Sequence, residues 1–206
     1  MNYLAHILLS GDEAGVQLGG FIADSVKGRK YNEYPEALRF GILLHRKIDS
    51  FTDAHPEVLK SIFGLRSVYG KYSGVVVDML YDHFLAVAWA KYSNQGLRAF
   101  SDNFYNVLKL NVSYLPERFK KYMPVFIEKD RLNSYTVLSD FEVILRKMGE
   151  HTSLPAKSEA GMEIIHSRYE LFKSEFSAFF PDLRTFTAEL MKFRTSPPKV
   201  ILAFGT

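Results

Sequence analysis

The chain has 206 residues, contains no cysteine and carries a formal net charge of +3 at pH 7. This length predicts one domain that buries its own core, and the lack of cysteine excludes disulfides, thiolate nucleophiles, iron–sulfur clusters and cysteine-ligated zinc. Any bound metal must therefore use imidazole and carboxylate groups. The slightly basic balance favours an acidic partner, whereas the absence of a block of basic residues argues against nucleic-acid binding.

The N-terminal region lacks the basic segment and long apolar run of a signal peptide. Its apolar stretch, residues 4–10, is too short to span a bilayer. We therefore expect a cytoplasmic protein that does not interact with membranes.

Apolar residues recur with helical spacing along almost the whole chain, and alternating runs rich in Val, Ile and Thr are missing. The sequence therefore predicts an all-α, single-domain helical bundle over residues 1–194, with residues 195–206 as a C-terminal tail. The predicted helices cover residues 2–9, 17–25, 36–51, 56–68, 73–91, 95–111, 115–130, 134–148 and 159–190. Residues 152–157, which include Pro155, are a candidate subdomain boundary.

Histidine and acidic residues gather in three clusters in the first half of the chain. The clusters are NYLAH at 2–6, HRKIDSFTD at 45–53 and DMLYDHFLA at 78–86. A folding core does not require this grouping, whereas imidazole and carboxylate are the ligands of borderline divalent metals. The clusters therefore indicate a metal site.

Two of the clusters lie on predicted helices. His45 and Asp49 are four residues apart, so both side chains can reach one ion, although a histidine hydrogen-bonded within its own helix is the alternative. Asp82 and His83 lie in an apolar helix, where an unpaired charge would be costly. A metal, a basic residue or other polar groups must therefore satisfy them. Asp78 shares a face with Asp82 because the two are also four apart.

Asp24 and His6 have ordinary explanations when each is taken alone. Asp24 ends an apolar run and could simply be solvated, and His6 could be a hydrogen-bonded core histidine. Both become candidates because metal sites in helical proteins collect ligands from several segments.

Four segments together resemble, in order and spacing, the acyl carrier protein phosphodiesterase family, a divergent branch of the HD-type metal-dependent phosphohydrolases. They are NYLAH (2–6), GGFIADSVKG (19–28), GILLHRKIDSFTD (41–53) and DMLYDHFLA (78–86). The resemblance implies an HD-type helical fold and a manganese-dependent site. It also implies hydrolysis of the phosphodiester that joins 4′-phosphopantetheine to a serine of acyl carrier protein. The segment at 149–151, Gly-Glu-His, departs from the family pattern and affects the expected carrier contact more than the hydrolytic centre.

On this resemblance, the expected metal ligands are Asp24, His45, Asp82 and His83, and the other expected catalytic residues are His6, Asp49, Arg46 and Lys27. His6 and Asp49 would serve as further ligands, orienting groups or proton shuttles, and Arg46 and Lys27 would hold phosphate oxygens. The roles of Asp53 and Asp78 stay open. Manganese suits this ligand set, with Fe²⁺ or Mg²⁺ as alternatives.

An acidic carrier protein would be met by basic residues close in sequence to Asp24 and His45. These residues are Lys27, Arg29, Lys30, Arg39, Arg46 and Lys47.

Three other functions fit parts of the pattern. An HD-type phosphohydrolase acting on a nucleotide or other small phosphoester would use the same ligands. A non-catalytic carrier-binding module would use its acids and histidines structurally. A di-iron carboxylate oxidase would need two Glu-x-x-His pairs, and Glu163 with His166 forms only one.

Overall fold

The structure, a computed structural model, describes residues 1–195. Within that range it contains helices and no strands, and one continuous hydrophobic core, which confirms the predicted all-α, single-domain fold. The α-helices are α1 (Tyr3–Leu9), α2 (Ala14–Ile22), α3 (Glu36–Ala54), α4 (Pro56–Tyr69), α5 (Ser73–Val87), α6 (Leu97–Leu110), α7 (Glu117–Glu128), α8 (Arg131–Ser134), α9 (Leu138–His151), α10 (Ser158–Ser167) and α11 (Tyr169–Thr195).

The last predicted helix, residues 159–190, is divided into α10 and α11 in the structure. Arg168 separates them, because its backbone (φ −121°, ψ 19°) leaves the helical region. No glycine or proline marks this break in the sequence, so helical periodicity alone could not reveal it. Leu154, in the candidate boundary 152–157, is buried in the common core.

Glycines bring α2 and α3 into close backbone contact. A Cβ atom on Gly19 would lie 2.1 Å from the Leu38 carbonyl oxygen, and a Cβ on Gly41 would lie 2.2 Å from the Val16 carbonyl oxygen. These distances are far below van der Waals contact, so a side chain at either position would push the helices apart. The contact places the first half of α3, as far as His45, beside α2.

Helix α5 lies in the centre of the bundle, as its apolar sequence predicts. Every residue from 79 to 86 is buried, and the helix contacts α1, α4, α9 and α11. Aromatic rings of α5 and α11 pack together, with the Tyr81 and Phe176 ring centroids 5.3 Å apart. The abundant aromatic residues therefore build the core.

The end of α11 returns to the start of the chain, where Arg194 forms an ion pair with Glu13. Residues 196–206 of the predicted tail lie outside the described residues. Within residues 1–195, no helix is both long and apolar enough to cross a membrane.

Candidate metal centre

The candidate centre lies where α1 meets α3. His6 of α1 and His45 and Asp49 of α3 each offer a potential ligand atom, and these three atoms lie within 4.8 Å of one another. The imidazole rings of His6 and His45 stack, with centroids 3.7 Å apart and planes 16° from parallel. Within residues 1–195 this is the one group of three His, Asp or Glu residues arranged in this way.

Two carboxylates lie beside the two imidazoles. Asp49 places Oδ1 3.1 Å from His6 Nε2 and Oδ2 3.0 Å from His45 Nε2, so it bridges both rings. Asp24, on a 3₁₀ turn (Ala23–Ser25) directly after α2, places Oδ1 3.4 Å from His45 Nε2. The side chain of Asp24 is 80% exposed and that of His45 only 6%, so Asp24 lies at the solvent side of the centre.

The backbone of α2 orients His45. Its Nδ1 lies 2.7 Å from the carbonyl oxygen of Gly20. A carbonyl can only accept, so Nδ1 carries the proton and donates it, which leaves Nε2 facing Asp24 and Asp49. This outer hydrogen bond is typical of metal-binding histidines. The Gly19-Gly20 pair marks the close helix approach in the sequence, but the carbonyl's role as a partner follows only from the packing.

Two ring nitrogens in the centre have no hydrogen-bond partner. They are His6 Nδ1 and His45 Nε2, and both are buried. The neighbouring Asp49 oxygen is close to His45 Nε2 but is not aligned for a hydrogen bond. Buried polar atoms are normally satisfied, so the unpartnered Nε2 of His45, which lies beside the carboxylates of Asp24 and Asp49, fits a divalent cation with imidazole and oxygen ligands.

The charges of the centre also favour a cation. Burial would lower the pKa of His45, but the facing carboxylates of Asp24 and Asp49 raise it to about 9. Burial and the neighbouring His45 lower the pKa of His6 to about 4 despite the proximity of Asp49. The pKa of Asp49 is far below its usual value because both histidines outweigh the effect of burial. The ionised carboxylates therefore hold one positive charge at His45, which a metal ion could replace.

Asp82 is turned towards the backbone of α1. Its buried carboxylate accepts hydrogen bonds from the backbone N–H groups of Leu4 at 2.7 Å and of Asn2 and Ala5 at 3.3 Å each. These groups begin α1 and lack partners within the helix, so Asp82 caps that helix. Burial raises the pKa of Asp82 to about 7, although the N–H donors and the α-ammonium of Met1 oppose the shift. Asp78 accepts from the same α-ammonium at 2.7 Å.

His83 is held by the far side of the bundle. Its Nδ1 lies 2.7 Å from the carbonyl oxygen of Tyr135, and its Nε2 lies 2.8 Å from the hydroxyl of Tyr169. Adjacent residues on a helix point about 100° apart, so His83 and Asp82 reach different neighbours. The structure thus brings together His6, His45, Asp49 and Asp24, but it gives Asp82 and His83 partners outside that group.

Substitutions of Asp82 distinguish between two roles for its side chain, that of a helix cap and that of a metal ligand. In Asp82→Asn an amide oxygen still accepts from α1, so we expect a modest loss of stability and retained metal binding. Asp82→Ala leaves buried N–H groups unpaired and should lower the free energy of unfolding by about 2–4 kcal/mol. Thermal melts and calorimetric titration with Mn²⁺ measure the two effects. An Asp82→Asn protein that melts like wild type yet does not bind Mn²⁺ would instead support the expected role of Asp82 as a metal ligand.

Arg46 on α3 and Lys27 on the loop that follows Asp24 are the two basic residues expected to hold phosphate oxygens. Arg46 Nη2 donates to the carbonyl oxygen of Val26 at 2.7 Å, and its Cζ lies 5.1 Å from the centroid of the Tyr31 ring. Arg46 is therefore turned towards the loop that follows Asp24. Lys27 is exposed on that loop.

Comparisons with known proteins point to one family. The sequence profile described as "Acyl carrier protein phosphodiesterase" matches residues 1–183. The protein of that name from Pectobacterium atrosepticum is 29% identical over 183 residues, which cover 88% of this chain and 94% of that protein. The one from Photorhabdus laumondii is also 29% identical over 183 residues, which cover 88% of this chain and 92% of that protein. The Yersinia pestis protein of that name is 28% identical over 184 residues, covering 89% and 95%. No solved structure matches the chain.

Proposed function

Because the chain belongs to the acyl carrier protein phosphodiesterase family, we propose that it hydrolyses the phosphodiester that joins 4′-phosphopantetheine to a serine of holo-acyl carrier protein. Water adds to phosphorus, the bond to the serine oxygen breaks and that oxygen gains a proton, so apo-carrier protein and phosphopantetheine are the products. The observation that carries the proposal is the group of His6, His45 and Asp49 with Asp24 on its solvent side. We also propose that the helical bundle is of the HD phosphohydrolase type.

We propose His6, His45, Asp49 and Asp24 as the residues that hold a divalent ion, which replaces the sequence-based set containing Asp82 and His83. Manganese is the proposed ion, with Fe²⁺ or Mg²⁺ as alternatives, because mixed imidazole and carboxylate ligation suits first-row metals. When bound, the ion would lower the pKa of a water molecule and neutralise phosphate oxygens.

The residues of the chain prepare the site for this chemistry. The Gly20 carbonyl fixes the ring of His45, and Asp49 holds His6 and His45 at fixed separations through its two oxygens. His6 Nε2 lies 3.1 Å from the Met1 carbonyl oxygen. Because a carbonyl can only accept, Nε2 carries the proton of the neutral His6 ring, and the unpartnered Nδ1 is the nitrogen that would bind the ion. Both imidazoles are buried, so water and substrate approach from the side of Asp24.

Metal binding should release a proton from His45. The pKa of about 9 means that His45 is protonated at pH 7, and Nε2 can bind a cation only after losing that proton. We therefore expect the affinity for Mn²⁺ to rise with pH up to about 9. Calorimetric titrations in buffers with different ionisation enthalpies should detect about one proton released per ion at pH 7. An affinity independent of pH between 6.5 and 8 would contradict this assignment, since about a tenfold change per pH unit is expected.

The proposed reaction is tested with the intact protein loaded with Mn²⁺ and incubated with holo-acyl carrier protein. Intact-mass measurement of the carrier should show the loss of phosphopantetheine. An unchanged carrier mass with rapid hydrolysis of nucleotides or other small phosphoesters would indicate the HD-type alternative. A protein that binds holo-carrier but neither metal nor phosphodiester would indicate a non-catalytic binding module.

The basic loop after Asp24 should attract the acidic carrier. Lys27, Arg29 and Lys30 are exposed there. Reversing all three charges to glutamate should raise KM for the carrier by about tenfold, because steering by charge is lost. Hydrolysis of a small phosphodiester should change little, and the effect on KM should shrink at high salt. Reversing Lys109, Lys129 and Lys147, which are exposed on other parts of the surface, is the matched control. Equal KM values for both triple variants would contradict the prediction.

A further inference from the structure

Arg46 touches both ends of the turn formed by residues 27–30. At one end its guanidinium donates to the carbonyl oxygen of Val26, and at the other end it lies against the ring of Tyr31. Planar guanidinium groups combine a directed hydrogen bond with stacking on an aromatic face, which an ammonium group cannot do. The turn is thus attached to α3 by the side chain next to His45.

Besides Arg46, the buried side chain of Val26 and the ring of Tyr31, which packs against the core, hold the ends of the turn, whereas the turn itself is open to solvent. Residues 27–30 are exposed, and Gly28 takes a left-handed conformation with φ +57° and has no neighbouring atoms near its Cβ position. The Val26 side chain is buried, and its N–H closes the 3₁₀ turn that carries Asp24 by bonding to the Ala23 carbonyl oxygen at 2.9 Å. Val26 therefore links the loop to the 3₁₀ turn that carries Asp24.

The direction of Arg46 follows from its place on α3. His45 and Asp49 are four residues apart and face the same side, whereas Arg46 is one residue further round the helix and points about 100° away from His45. Its guanidinium consequently reaches the backbone beyond Asp24 and not the ring nitrogens of the centre.

We propose that Arg46 is a positioning residue: it attaches the loop from Val26 to Tyr31 to α3 and thereby holds Asp24 beside His45 and presents the basic residues of the loop. This inference rests on the proposed function for its effect on rate, but the attachment of the loop exists whatever the substrate is. It replaces the expectation that Arg46 holds a phosphate oxygen.

The test compares Arg46→Met and Tyr31→Ala, singly and together. Tyr31 is the ring partner of Arg46 and adds no charge to the site, so its loss tests the attachment of the loop without removing a cation. Because small displacements in a catalytic site reduce rates strongly, we expect kcat/KM for holo-carrier cleavage to fall about 10- to 100-fold in Arg46→Met and about 5- to 10-fold in Tyr31→Ala. The double variant should be no more than about threefold below the worse single variant, since both changes release the same loop.

Three further variants separate positioning from loss of charge or of stability. Tyr31→Phe keeps the ring and should retain wild-type kinetics, and Arg46→Lys should be intermediate between wild type and Arg46→Met because it keeps only the donor. Lys109→Met removes one positive charge from an exposed position, as Arg46→Met removes one from α3, and should leave kcat/KM unaltered. Melting temperatures of all variants should stay close to wild type, and KM for the carrier should rise in Arg46→Met as the basic loop loses its position.

Hydrogen exchange of the amides at residues 26–32 gives a readout that is independent of activity. It should be faster in Arg46→Met and in Tyr31→Ala than in wild type. Unchanged exchange in Arg46→Met would overturn the inference, as would a severe loss of activity in Arg46→Met with normal kinetics in Tyr31→Ala, which would indicate direct contact with substrate. If the wild-type protein hydrolyses no phosphodiester, the proposed function fails, and the exchange measurement still decides whether Arg46 holds the loop.

Discussion

Replacing Asp49 with alanine or asparagine is expected to abolish hydrolysis of holo-acyl carrier protein and to remove the bound divalent ion. Its two carboxylate oxygens lie 3.1 Å from His6 Nε2 and 3.0 Å from His45 Nε2, so its loss removes a group that contacts both imidazoles. We expect kcat/KM to fall by a factor of about 10³ or more, in line with the loss of a ligand at a catalytic metal. Intact-mass assays and elemental analysis measure the two losses.

The control for this variant is Asp102→Ala. Asp102 is a half-exposed carboxylate on α6 that pairs with Arg98, far in sequence from the centre. It should keep wild-type activity and metal content. Circular dichroism must show that Asp49→Asn stays folded. A folded Asp49→Asn protein with full metal content and normal turnover would contradict the proposed metal centre.

Replacing Gly41 with alanine should strongly reduce stability. The new Cβ atom would lie 2.2 Å from the Val16 carbonyl oxygen and 2.8 Å from the Gly20 backbone nitrogen, and neither backbone atom can move without shifting α2. We expect a loss of about 3 kcal/mol or more in the free energy of unfolding, or about 6–12 °C in melting temperature. The shift should also separate Gly20 from His45, so metal affinity should fall in the molecules that remain folded.

Gly74→Ala is the matched control for this substitution. Gly74 lies within α5, and a Cβ atom added there would have as its nearest neighbour the Cδ1 atom of the flexible Ile62 side chain, at 3.8 Å. Alanine should be tolerated there or stabilise the helix slightly, by up to about 1 kcal/mol. A Gly41→Ala protein that melts as wild type does would show that α2 and α3 tolerate a wider separation.

The sequence by itself determined the helical architecture and half of the centre. Helical periodicity is local, so it identifies the buried helix α5 from its apolar run. The same period brings together His45 and Asp49, because residues four apart share a face of one helix wherever that helix packs. The four motifs, read together, also identified the family, which the profile match confirms.

Only the tertiary structure decided how the remaining polar residues are used. Asp82 and His83 are adjacent in an apolar helix, and the sequence correctly indicates that they need partners. It does not say which partners, because these come from residues 52 to 86 positions away along the chain, among them Leu4, Tyr135 and Tyr169. The start of α1 lacks acidic residues of its own, which left a buried helix end for Asp82 to cap.

The positions of Asp24 and Arg46 also depend on partners that are distant in the sequence. Asp24 reaches His45 because Gly19 and Gly41 let α2 lie directly against α3, and Arg46 is turned to Val26 and Tyr31 by its angle on α3. Side-chain spacing within one helix is set by the helical repeat, which a sequence displays. The approach of two helices is set by the volume of the residues between them and by long-range packing, and these become visible only when the chain is folded.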